Sequence, residues 1–97
     1  MNVISKAGLK AWIRKHPSTE AELLAWHAAA RRARWECLAD VRESFGSADL
    51  VGEVLIFDIG HKRFRLITTV YFPTEEIYIK ALLTHKEYDR EEWKKWC

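Results

Sequence analysis

The chain is 97 residues long, enough for one modest core, and its apolar (48%) and charged (31%) fractions are those of a folded, water-facing protein. The formal charge of +2 is too small to mark a uniformly basic nucleic-acid binder. The charge is segregated, with balances of +5 over residues 1–35, −5 over residues 36–60 and +2 over residues 61–97, so a polyanion would meet local patches.

No run approaches the roughly 18 apolar residues of a membrane helix, and the N-terminus lacks a signal-peptide pattern, so a cytoplasmic protein with no membrane partner is expected. Cys37 and Cys97 lack metal-ligand spacing and are expected to be free thiols in a reducing compartment.

In chain order, Asn2-Val3-Ile4 is a possible edge strand. Ser5 can cap a helix through Lys15, in which Leu9, Trp12 and Ile13 share a face, and His16-Pro17 stops it. Thr19-Glu20-Ala21-Glu22 has the spacing of a capping box, opening a second helix to about Arg34 or Trp35 with Leu23, Trp26 and Ala30 on one face. Its terminal Arg31, Arg32 and Arg34 complement the helix dipole and are either a solvated end or contacts for phosphates or an acidic partner. A short third helix fits Cys37 to Phe45, with Gly46 as its C-terminal glycine and residues 47–52 as a loop.

The periodicity then changes to two. Strands are expected over Glu53–Ile59, Arg63–Phe72 and Glu76 or Ile77 to Thr84, joined by turns at Gly60-His61-Lys62 and Pro73-Thr74-Glu75. The tail from Asp89 to Trp96 is a short helix at most. The order β-α-α-(α)-β-β-β predicts one α+β domain over 1–97, with N-terminal helices packed on a C-terminal antiparallel meander.

The chemistry concentrates after the last strand, in Thr84-His85-Lys86-Glu87-Tyr88-Asp89. Arg65 lies mid-strand between Phe64 and Leu66, where a guanidinium needs a partner. That partner is either Asp58 or Glu53 on the neighbouring strand, or a phosphate gripped at two points. With His61, Lys62 and Arg63 on the turn, these residues form a dense basic and titratable set. Such a set fits RNA cleavage without a metal or cofactor. The 2′-hydroxyl of the RNA is then the nucleophile, and the protein supplies a base, an acid and cations for the phosphate. His85 titrates in the right range for a base, and Tyr88 suits an acid or a base stacker. Gly-rich phosphate loops, zinc spacings and serine-hydrolase motifs are absent. A helix-turn-helix is disfavoured by the proline between the first two helices.

Phe57-Asp58-Ile59-Gly60 with Phe64-Arg65-Leu66-Ile67, then Tyr78-Ile79-Lys80 and the Thr84–Asp89 hexapeptide, resembles the HigB family of toxins from bacterial type II toxin–antitoxin modules, within the RelE-like superfamily. Leu9-Lys10 with Trp12, His16-Pro17, Leu24-Ala25-Trp26 and Ala33-Arg34-Trp35 agree, so the resemblance covers nearly the whole chain. It implies a RelE-like fold and an mRNA interferase, an endoribonuclease that cuts mRNA on the translating ribosome and inhibits translation. It further implies neutralisation by a HigA-type helix-turn-helix antitoxin, with operator DNA bound only through the complex. Arg65, His85, Lys86 and Tyr88 fall where such toxins place catalytic residues. His61, Lys62, Arg63, Arg31 and Arg32 are the expected RNA contacts. The family often reads Gly-Gly-Asn-Lys at the hairpin, where this chain has Gly60-His61-Lys62-Arg63. The alternative is a non-catalytic RNA- or protein-binding module on the same scaffold.

Overall fold

The computed structural model describes residues 1–97. Its elements are β1 (Asn2–Ile4), α1 (Leu9–Lys15), α2 (Glu20–Arg32), α3 (Leu38–Ser44), β2 (Asp49–Val51), β3 (Val54–Ile59), β4 (Phe64–Tyr71), β5 (Glu76–Thr84) and α4 (His85–Asp89), with short 3-10 turns at Pro17–Thr19, Phe72–Thr74 and Glu92–Trp96. The α+β layout matches the sequence reading. No helix is long and apolar enough to cross a membrane.

The sheet has five strands in the order β1-β5-β4-β3-β2. The expected meander is present, and it gains a strand at each edge. Asp49–Val51, read as loop, pairs antiparallel with Val54–Ile56 across the turn at Glu53, where Gly52 takes φ 60. β1 runs parallel to β5, so the sheet is mixed rather than purely antiparallel. The chain between β1 and the meander passes through all three helices, and such a crossover lets an N-terminal strand return parallel.

One sheet face packs on the helices. Leu23, Trp26 and Ala30 of α2 meet Leu55, Phe57, Leu66, Val70, Ile77 and Leu82, and the Trp26 and Phe57 rings pack edge to face at 5.2 Å. The opposite face is covered in its centre by the tail, where Trp93 closes over Val54, Ile56, Ile67 and Ala81.

β5 reaches both layers through a bulge. Ile67 pairs with Ala81 but Thr68 pairs with Ile79, leaving Lys80 as the extra residue. Beyond the bulge the facing shifts by one, so Ile77, Ile79 and Leu82 all join the helix-side core while Ala81 and Leu83 join the other.

Four helix boundaries differ from expectation. α1 is capped by Gly8 at φ 76, not by Ser5, whose hydroxyl is buried without a partner. The Thr19–Glu22 capping box does not form, because Thr19 is buried in helical backbone and its hydroxyl donates back to the His16 carbonyl at 2.7 Å. α2 stops at Arg32. Ala33 turns extended so that Trp35 can enter the core, and the Met1 ammonium takes the Ala30 carbonyl at 3.1 Å. Gly46 is not left-handed, since α3 ends at Phe45 with φ −131.

Candidate active site

Strand pairing builds the site. Arg65 lies opposite Asp58 on β3 and opposite Leu83 on β5. Directly opposed residues on one face have Cβ atoms roughly 4.5–5.5 Å apart, close enough for their side chains to meet. Asp58 Oδ1 accepts from Arg65 Nε at 3.0 Å, and both side chains are mostly covered. The Nη1 group donates to the carbonyls of Lys62 (2.7 Å) and Phe64 (3.3 Å). Of the two acidic partners expected for Arg65 on the neighbouring strand, Asp58 is the one that pairs. The inner edge of Arg65 is satisfied by the protein, and its Nη2 edge is left facing outward.

That edge meets α4. Thr84 is the N-cap, and its hydroxyl accepts from the Glu87 N–H at 3.2 Å while Glu87 accepts from the Thr84 N–H at 2.9 Å. This is the capping box of the molecule, formed at Thr84 rather than Thr19. The backbone hydrogen bond from Thr84 holds the Glu87 carboxyl below its usual range, with Lys15 and His16 adding to the effect. A helix of five residues depends on such a cap, and this one aims His85 and Tyr88 at Arg65.

His85 Nε2 lies 3.1 Å from Arg65 Nη2. A guanidinium only donates, so Nε2 is the acceptor and the imidazole proton sits on Nδ1. Nδ1 faces Asp89 Oδ2 at 3.6 Å. The imidazole thus presents an unprotonated Nε2 to the site.

Tyr88 touches two neighbours. The Arg65 guanidinium carbon is 5.5 Å from its ring centroid, and Trp93 stacks parallel to it at 5.2 Å and 4°. Trp93 Nε1 donates to the Tyr88 carbonyl at 3.0 Å. With the Arg65 guanidinium and the Trp93 ring against it, the Tyr88 ring has little face left for stacking on a base. Burial pushes its phenol above the ordinary value, opposed in part by Arg65. Trp93 was missed in the sequence, where only its spacing of five from Tyr88 hinted at a contact.

Lys86 is exposed on α4 beside His85 and has no bound partner. His61, Lys62 and Arg63 are exposed on the hairpin. His61 (φ 55) and Lys62 (φ 70) follow Gly60 (φ 66) in left-handed backbone, a conformation uncommon for side-chain-bearing residues. Arg31 and Arg32 lie elsewhere. They line a hollow with Met1, Asn2, Thr74 and Glu75, at the start of β5, while Arg65 is opposite its end. Eight strand steps separate those ends, about 26 Å. A hollow on the outer sheet face between Tyr71 and Tyr78 is also at that far end, where the Tyr78 hydroxyl donates to Glu76 at 3.1 Å. No group of three or more His, Cys, Asp or Glu side chains is placed to hold a metal ion.

Residues 19–91 match the family model described as HigB_toxin, RelE-like toxic component of a toxin–antitoxin system. The chain is 27% identical over 92 residues to the mRNA interferase toxin HigB of Escherichia coli K12, covering 92% of this chain and 88% of that protein. The mRNA interferase HigB of Shigella flexneri matches to the same extent. The mRNA interferase HigB of Escherichia coli O6:H1 is 24% identical over 93 residues, covering 93% and 90% of the two chains.

Proposed function

The chain belongs to the HigB family of RelE-like toxic components of toxin–antitoxin systems, and from that premise we propose that it is an mRNA interferase whose cleavage site is the Arg65–His85–Tyr88 cluster. The observation that carries this reading is the contact between Arg65 Nη2 and His85 Nε2 on an outward-facing edge. It joins a phosphate-binding cation to an unprotonated imidazole with no substrate present.

In this scheme the scissile phosphate takes the Nη2 edge of Arg65. Nε stays on Asp58, so the guanidinium is held in place before substrate arrives. His85 Nε2, released from Arg65, accepts the 2′-hydroxyl proton, and the 2′-oxygen attacks phosphorus. Tyr88 donates its proton to the departing 5′-oxygen, which suits a phenol kept protonated at neutral pH. Lys86 and the hairpin cations His61, Lys62 and Arg63 bind flanking phosphates. The products are a 2′,3′-cyclic phosphate and a 5′-hydroxyl end. The toxin acts on mRNA at the ribosome in the cytoplasm. It is neutralised by a HigA-type helix-turn-helix antitoxin, and that complex binds operator DNA.

Expression without antitoxin tests the site. Arg65→Ala and His85→Ala are expected to relieve growth arrest, each lowering cleavage by about 10²-fold or more. Full toxicity of both variants at equal protein levels would remove the site from consideration. The second reading is a non-catalytic binding module. It is favoured by the Arg65–Asp58 pair, which satisfies the guanidinium without any ligand. Purified wild-type protein that leaves ribosome-bound mRNA intact would select that reading.

A further inference from the structure

Beside the site lies a small slot between the end of β5 and the 3-10 turn Glu92–Trp96, with a volume of about 160 Å³. Drug-sized ligands occupy roughly 300–1,000 Å³, so this slot suits one planar ring system. Its apolar lining is Leu83, Trp93 and Trp96, and its rim carries Glu87, Glu92, Arg90 and Lys95.

Two connections tie the slot to the site. Leu83 is the direct strand partner of Arg65, and Trp93 stacks on Tyr88, whose ring also meets the Arg65 guanidinium. A strand of RNA with its phosphate on Arg65 therefore has an adjoining nucleotide within reach of the slot. The combination of half-buried indole, cations and a carboxylate pair is chemically selective. Single-stranded nucleic acids bind by stacking bases on aromatic rings while cations hold the phosphates. Lys95 Nζ is 4.9 Å from the Trp96 ring centroid, and Arg90 lines the same slot. Carboxylates only accept hydrogen bonds when ionised. The Glu87 carboxyl is held in its charged form by the Thr84 backbone, and Glu92 is exposed. Adenine, cytosine and guanine each carry an exocyclic amine that can donate to a carboxylate, whereas uracil carries only carbonyls there.

We infer that the slot formed by Leu83, Trp93 and Trp96, with Glu87 and Glu92 at its rim, is a nucleobase subsite that selects an amine-bearing base next to the cleaved bond. This inference rests on the mRNA-interferase reading for its biological meaning, but not for its chemistry. Trp93, Lys95 and Trp96 fall outside the segment 19–91 that matches the family, so the match itself does not account for the slot.

Binding is read first, independently of cleavage. Adding millimolar AMP or UMP to the full-length protein, with the Trp96 indole N–H signal assigned through Trp96→Phe, should shift that signal with AMP and much less with UMP. Trp96→Ala should abolish the AMP-induced shift of the remaining slot indole, Trp93 Nε1–H, in a protein that still unfolds cooperatively, and Glu92→Gln should reduce the AMP-over-UMP difference. Cleavage is read second, on mRNAs differing only at the nucleotides beside the cut. Trp96→Ala is expected to raise KM by about 5- to 150-fold for amine-bearing bases, leaving kcat within about twofold. Trp96→Phe should restore most of the loss. An AMP response identical to that of UMP, or identical cleavage patterns in wild type and Trp96→Ala, overturns the subsite. Nucleotide binding without any cleavage by wild type would instead fail the enzymatic reading and leave the subsite standing.

Discussion

Arg65 has four of its five N–H groups engaged inside the protein, on Asp58, the Lys62 and Phe64 carbonyls, and His85. A two-point grip on phosphate through Nε is therefore already taken by Asp58, and the approach is through Nη2. The guanidinium side chain is only 15% exposed, so its charge relies on that carboxylate. Asp58→Asn is expected to cost about 1–3 kcal/mol in chemical denaturation, because it leaves a covered charge weakly paired. Cleavage should fall by about tenfold or more as the Nη2 edge loses its fixed position. Tyr88 gives a separate test. Tyr88→Phe keeps the ring in contact with Arg65 and Trp93 and removes only the hydroxyl that carries the proton, so cleavage is expected to fall about 10²–10⁴-fold with the melting temperature nearly unchanged. Because burial raises its phenol, Tyr88 stays protonated up to the ordinary phenol range near pH ~10. A wild-type alkaline limb below that range belongs to another group and should persist in Tyr88→Phe whatever its residual rate. At this scale the sequence was informative. The strand positions offered Asp58 or Glu53 as the partner of Arg65, and pairing register selects Asp58, while His85 and Tyr88 stood out in the hexapeptide. The Trp93 stack was not visible, because a turn of irregular backbone sets its distance from Tyr88.

Elements decide whether those residues meet. α4 is too short to persist on propensity alone, and its cap is the reciprocal pair of Thr84 and Glu87. Thr84→Ala is expected to cost about 0.5–2 kcal/mol and to loosen His85 and Tyr88 together, so that denaturation and cleavage decline in parallel. The pH dependence has a definite sign. Glu87 is depressed in the folded chain, so its contribution is present above the unfolded value near pH ~4.3 and is lost as pH falls through the lower folded value. The stability difference between wild type and Glu87→Gln should accordingly be full at pH 7 and shrink in acid below that range. Capping boxes illustrate what local patterns omit. Thr19-x-x-Glu22 and Thr84-x-x-Glu87 have identical spacing, yet only the second forms. Burial of Thr19 behind a 3-10 turn redirects its hydroxyl to His16. β2 was equally hidden, since three residues carry no periodicity and become a strand only by pairing with β3. The bulge at Lys80 did leave a trace. The unbroken run Ala81-Leu82-Leu83 cannot satisfy a period of two, and the bulge lets it serve both faces.

Across the whole molecule, the cations divide between two ends of a body measuring 31 × 26 × 25 Å. Arg65, His85, Lys86 and the hairpin residues occupy one end, and Arg31 and Arg32 the other. α2 explains the split, since its start lies near the hairpin, with Glu22 Oε2 4.0 Å from the position a Cβ on Gly60 would take, and its end lies beside β1. The sequence grouped Arg31 and Arg32 with His61, Lys62 and Arg63 as RNA contacts, because a charge count carries no direction along the helix that bears it. The separation makes a length-dependent prediction. A di- or trinucleotide held at Arg65 cannot span the roughly 26 Å of β5 that separates the two ends. Arg31→Ala with Arg32→Ala should therefore leave binding of such short RNA at the site unchanged. A long or ribosome-bound RNA that reaches both ends should bind more weakly to the double variant. Its salt dependence should also flatten, with the slope of log K against log salt losing about 0.7 per single-strand phosphate contact removed. Filter binding at several salt concentrations separates the outcomes. Parallel slopes for wild type and the double variant on long RNA would confine RNA binding to the Arg65 end and leave α2's arginines as a solvated, dipole-complementing helix terminus.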